Sequence, residues 1–224
     1  MGQLTRVSTG IAGLDRILIG GLIPQRVYLV HGPPGAGKTT LGMHFLAAGV
    51  SAGEHSLMIT FGQPEDHVRA DAASIGLNMD GVHILDLTPT PETFFETQTY
   101  DIFSPAEVER ESITAQIAIA IRDSKPSRIF VDSFSQFGNL ATDAFDHRRL
   151  AQSFFRFATE QGATLIVASH ERECARDADG VIHLECVRDR RTIRILKFRG
   201  SDFEVGHHVM RLTSSGIDVS SAAA

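Results

Sequence analysis

Apolar residues along this chain fall into short runs separated by amphipathic stretches. Residues 26–32 (RVYLVHG) form a β-branched and aromatic run that ends in glycine and predicts a strand. A helix-like stretch follows over 39–50, then a second strand over 55–61. The segment 64–76 opens on proline and two acids, a composition suited to a helix N-terminus. It sets Val68, Ala72 and Ile75 on one face and stops at Gly76. A third strand is expected over 82–87. The stretch from Thr88 to Ser104, rich in proline and phenylalanine and without a clear period, reads as an ordered loop packed on the body. An amphipathic helix (106–124), a strand (128–133), a helix closed by Gly162 (145–162) and a strand (163–170) complete the alternating part. Strands separated by helices imply βαβ units and a mostly parallel sheet, hence an α/β fold. The remainder differs: 180–187, 191–200 and 207–213 are strands joined by short turns and predict an antiparallel β extension at one sheet edge. Residues 1–224 are expected to form a single domain, with about 215–224 as a loose tail.

Composition narrows the class. The 224 residues are 42% hydrophobic and 21% charged, near globular averages, which excludes disordered, collagen-like and coiled-coil chains. Twenty-one basic residues against 27 acidic ones give a net charge of -6. Such a surface is not built to neutralise a phosphate backbone, so nucleic acid is not the expected partner. No apolar run approaches the roughly 20 residues needed to span a bilayer, so no membrane role is expected. The start lacks the charged-then-apolar order of a signal peptide. Cys174 and Cys186 form no CxxC pair and read as reduced thiols, consistent with a cytoplasmic location. The ten histidines are scattered; His207 and His208 are adjacent, and on a strand would face opposite ways.

The candidate chemistry begins at GPPGAGKTT, which places Gly32, Gly37, Lys38 and Thr39 in the register of a GxxxxGK[ST] phosphate loop. Glycines let the backbone curl so that successive N–H groups of Gly32, Pro33, Pro34, Gly35, Ala36, Gly37, Lys38, Thr39 and Thr40 (the prolines supplying none) surround phosphate oxygens. The helix that starts at Lys38 adds its positive dipole end. Lys38 reaches terminal phosphates, and the Thr39 hydroxyl suits Mg²⁺. A strand before the loop and a helix after it supply the required context. Such a metal site also needs a carboxylate at the tip of a neighbouring strand, and Asp132 ends the apolar run Ile129-Phe130-Val131. The same position suits an N-cap for the next segment, and the two roles are compatible.

Together these segments resemble the KaiC-like branch of the RecA-superfamily ATPases, over nearly the whole chain. The opening RVSTGIAGLDRILIGGLIPQRVYLVHGPPGAGKT, VDSFSQF (131–137), GATLIVASHERE (162–173) and RRTIRILKFRG (190–200) carry the resemblance. It implies a RecA-like P-loop core binding ATP and Mg²⁺ between subunits of a homo-oligomer, commonly a hexameric ring. It also implies that Lys197 and Arg199 reach the phosphates held by the adjacent subunit. On a strand Ile193, Ile195, Lys197 and Arg199 share one face, apolar at one end and cationic at the other. A trans cation of this kind is worth roughly 10³–10⁵ in rate.

One departure from the family matters. Its hydrolytic members carry glutamates just after the second strand, where this chain has Gly62 and Gln63. Three readings compete. Gln63 orients water without taking a proton; Glu65 or Asp66 swings in; or ATP is bound and hydrolysed very slowly or not at all. Loss of a general base costs about 10²–10⁴ in rate. Glu65 and Asp66 also serve simply as first-turn acids that offset the helix dipole. His170 and Glu171, at the tip of the fifth strand, form a second candidate pair for sensing the terminal phosphate. The expected function is a slow Mg·ATP-dependent ATPase whose ATP or ADP state controls assembly or a signalling partner. The alternatives are a non-hydrolysing ATP-binding regulatory module and, less favoured, a recombinase acting on DNA. Autophosphorylation at Ser214, Ser215, Ser220 or Ser221 is a further option, although these serines read more simply as a polar tail.

Overall fold

The computed structural model describes residues 5–89, 91, 105–138, 143–170, 172–188 and 190–220. Most of the predicted loop at 88–104, and Glu171 and Ser221, lie outside them.

Among the described residues nine strands form one sheet in the order β3-β2-β4-β5-β1-β6-β7-β8-β9. The strands are β1 (Val27–His31), β2 (Ser56–Thr60), β3 (Val82–Asp86), β4 (Arg128–Asp132), β5 (Thr164–Ser169), β6 (Gly180–Val187), β7 (Arg190–Phe198), β8 (His208–Thr213) and β9 (Gly216–Ser220). From β3 to β6 every neighbour is parallel. From β6 to β9 every neighbour is antiparallel. The α/β architecture and the antiparallel extension therefore match the expectation. The parallel strands β1, β2 and β5 are buried along their whole length, the pattern of strands covered on both faces.

Helices α1 (Ala12–Ile17), α2 (Lys38–Ser51) and α3 (Glu65–Ser74) cover one face, and α4 (Pro105–Ser124), α5 (Phe134–Gly138) and α6 (Ala144–Glu160) the other. Each face has its own core. Leu14, Phe45, Leu46, Phe130 and Ile182 pack in the first; Leu29, Ile121, Phe134, Phe155 and Leu165 pack in the second. Arg128 is buried and ties three segments together. Its guanidinium meets Glu54 at 2.6 Å and donates to the carbonyls of Ser8 and Phe45.

Two expectations are corrected. Residues 216–220 are not part of a loose tail: they form β9, which pairs with β8 from Val209 to Thr213. The cause is packing. Ile217 and Val219 alternate inward into the first core, and the Ile217 N–H donates to the buried His44 of α2 at 2.9 Å. Gly216 makes this approach possible, since a Cβ there would stand 2.0 Å from His44 Nε2. The second correction concerns β7. Its register shifts where Val181 pairs with Lys197 but Ile182 pairs with Ile195, leaving Leu196 as the extra residue of a bulge. Ile193 and Ile195 thus face the first core, whereas Leu196 packs on the second and Lys197 turns to the 175–178 segment. The four residues do not share a face.

Candidate nucleotide site

The site grows from the turn between β1 and α2. Gly35 (φ 74°) and Gly37 (φ 101°) hold left-handed backbone, which side chains resist and glycine adopts freely. Gly37 is the N-cap of α2, with no side-chain cap and no acid in the first turn. The free N–H groups there and the helix dipole favour an anion. Lys38 is buried and folds back over the loop, its Nζ donating to the carbonyls of Gly32 (2.8 Å) and Pro33 (2.9 Å) and lying 3.4 Å from His170 Nδ1. Thr40 follows in the first turn of α2.

The Thr39 hydroxyl donates to Asp132 Oδ2 at 2.6 Å. A second glycine brings these two together. Gly42 packs against the Phe130 ring so closely that a Cβ there would sit 2.2 Å from ring carbons. Thr39 lies three residues before Gly42 on α2, and Asp132 two residues after Phe130 on β4. Both therefore project from the faces already in contact. Asp132 makes this bond to α2 while α5 follows it directly in the chain.

Burial pushes the Lys38 amine below its ordinary value, an effect Asp132 partly opposes. Burial likewise pushes the Asp132 carboxyl up, against the Thr39 bond and the charges of Lys38 and His170. Opposite charges are thus held poorly solvated at the sheet tip, an arrangement that gains most when a phosphate and a cation arrive. The donor set fits Mg²⁺: the threonine hydroxyl gives its proton to Asp132, leaving oxygen lone pairs for a hard cation.

The other residues singled out in the sequence are placed as follows. Gly62 and Gln63 follow β2 beside Asp132, whose carbonyl accepts from the Phe61 N–H. The Gln63 amide is engaged on α3, donating to Asp71 at 2.9 Å. Glu65 pairs with Arg69 at 2.7 Å, one helical turn on, and Asp66 accepts from the His67 N–H. Lys197 and Arg199 lie at the other end of the sheet from the phosphate loop: Phe198 pairs with Gly180, and Gly180 with Tyr28 near the start of β1. Lys197 Nζ donates to the carbonyls of Ala175, Arg176 and Ala178. Arg199 is half exposed, with Asp179 at 3.9 Å. A single chain therefore does not bring these cations to its own loop.

Several neighbours of the site have no sequence signal. The Ser135 hydroxyl of α5 lies 3.0 Å from Ser169 Oγ and accepts from the His170 N–H at 3.3 Å, fixing α5 to the tip of β5. His31 stacks on His183 with ring centres 4.2 Å apart, and His183 Nε2 meets Glu185 at 3.0 Å. These contacts join residues up to 152 positions apart.

Among the described residues, no helix is long and apolar enough to cross a membrane. A family model described as "ATPase: KaiC" matches residues 7–224. The chain is 28% identical, over 97% of its length and 45% of the relative's, to the circadian clock oscillator protein KaiC of Parasynechococcus marenigrum. It is 29% identical, over 91% of its length and 43% of the relative's, to the circadian clock protein KaiC3 of Synechocystis. It thus spans less than half of these two relatives. It is also 28% identical to UPF0273 protein MK0039 of Methanopyrus kandleri, over 96% of this chain and 91% of that one.

Proposed function

We propose that this chain, which belongs to the KaiC family of ATPases, binds Mg·ATP at the β1–α2 loop and hydrolyses it slowly where two copies of itself meet. The observation that carries this reading is the Thr39–Asp132 bond with Lys38 beside it. The N–H groups of residues 35–40 and the Lys38 ammonium take the phosphates, with Lys38 exchanging the carbonyls of Gly32 and Pro33 for phosphate oxygens. The Thr39 hydroxyl would hold Mg²⁺ directly, and Asp132 would hold it through water. A cation held by these residues would supply charge neutralisation for the phosphates. Arg199, half exposed and far from its own loop, is available to a neighbour's phosphates, while Lys197 braces the 175–178 segment beneath it. This arrangement supports self-association, with a hexameric ring as the family-like form. The nucleotide state of such an assembly, in the cytoplasm, would then control its stability or a signalling partner.

A second reading is favoured by a specific observation. Gly62 and Gln63 stand where the family's two glutamates are expected, and Gln63 and Glu65 are both engaged on α3. On that reading the chain binds ATP as a switch without turnover.

The test measures Mg·ATP binding and ADP production by the purified protein beside Lys38→Ala. Micromolar binding with slow turnover, both lost in the variant, is expected. Binding without turnover selects the second reading, and absence of binding rejects both.

A further inference from the structure

The first of the two positions that lack the family's glutamates, Gly62, has a polar neighbour from another element. A Cβ built at Gly62 would stand 3.4 Å from Gln136 Nε2, and apart from its chain neighbours no other described residue comes within 4 Å of it. Gln136 is on α5, four residues after Asp132. Phe134 and Phe137 are buried on one side of this short helix, their rings 4.9 Å apart and packed on α6. Ser135 is bonded to the tip of β5, one residue from His170, which in turn lies beside Lys38. These anchors leave the Gln136 side chain exposed next to Gly62. Among the described residues its amide has no hydrogen-bond partner.

We propose that Gln136 orients the attacking water in ATP hydrolysis, taking over from α5 the place that a glutamate after β2 would fill; this rests on the ATPase reading above. A primary amide suits the role. Its carbonyl accepts a hydrogen bond from the water and its N–H₂ donates one to a neighbouring oxygen, so the water is aimed by a fixed acceptor. The amide takes no proton. As the water oxygen bonds to the γ-phosphorus, the bond to the β-phosphate oxygen breaks with its electron pair leaving on ADP. The water's proton goes to the phosphate released. Orientation without a base yields a slow enzyme, because the general-base contribution is missing. Glutamine at this distance from Asp132 in sequence escapes periodicity arguments, since α5 is only five residues long.

The test compares steady-state hydrolysis and Mg·ATP affinity for wild type, Gln136→Ala, Gly62→Glu and the double variant. Gly62 does not hold left-handed backbone, so glutamate is accommodated there. Gln136→Ala is expected to lower kcat about 10–100-fold with Mg·ATP affinity and KM changed less than about two-fold. Gly62→Glu is expected to raise kcat and to make the Gln136→Ala change nearly silent in its background. A purely structural role would move both backgrounds equally. Unchanged kcat in Gln136→Ala, while Lys38→Ala is dead, overturns the Gln136 assignment and leaves the ATPase reading intact. Tight ATP binding without wild-type turnover also overturns it, whereas loss of ATP binding in the wild type sinks the parent reading itself.

Discussion

At the scale of single residues, the site depends on groups whose roles are set by what lies above and below them in the sheet. Gly42 reads in the sequence as an unremarked position in an apolar helix. Its value is the 2.2 Å that a Cβ would leave to Phe130, and that is a property of two elements 88 residues apart. The glycine turn before α2 was legible because its backbone demands are local; the Thr39–Asp132 contact was legible only as a pairing of types. His31 was not legible at all. Burial, His183, Arg172 and Lys38 together hold its pKa down to about 4. In the unfolded chain an ordinary histidine takes up a proton below about 6.5. Between pH 6.5 and 4 the unfolded state therefore binds a proton that the native state refuses, and stability falls with falling pH. The slope from this group approaches about 1.4 kcal/mol per pH unit and vanishes below its native pKa. Urea unfolding midpoints followed from pH 7 to 4 should show this loss, and His31→Leu should flatten it.

At the scale of elements, the helices and parallel strands were readable because their periods are intrinsic to the sequence. The bulge in β7 was not, since it exists only in the register between β7 and β6. β9 is intermediate. Ile217 and Val219 alternate with Asp218 as a strand should, but a serine-rich turn before them and alanines after them give the segment the look of a tail. Its two apolar side chains are 7% and 4% exposed. Burial of each contributes about 1.5–3 kcal/mol. A chain ending at Ser215 should consequently be destabilised by about 3–6 kcal/mol, seen as a Tm lower by roughly 6 °C or more. A thermal melt that does not move would mean that the strand contributes nothing to α1 and α2.

At the scale of the whole molecule, the sheet separates two kinds of chemistry. The phosphate loop, Asp132 and Gln136 gather at the carboxyl ends of the parallel strands, while Arg199 lies toward the opposite end. If the working site spans two copies, defects in its two halves should complement. Lys38→Ala and Arg199→Ala, each inactive alone, should recover part of the wild-type turnover on mixing, because some contacts then pair one intact loop with one intact arginine. A mixture no more active than its components would reject a shared site. The overall order of strands and helices was readable from alternation; which ends of the sheet meet in an assembly is a matter of surfaces, on which the sequence pattern is silent.

The seam between β9 and α2 also has a mechanical meaning. Beyond residue 220 any attached load pulls on a strand held, among the described residues, by β8, by close packing of Val219 on Gly13 of α1, and by the Ile217–His44 bond to α2. One route for tension from that end of the chain thus runs through His44, six residues from Lys38. A tether or fused partner placed there grips the handle of the nucleotide loop.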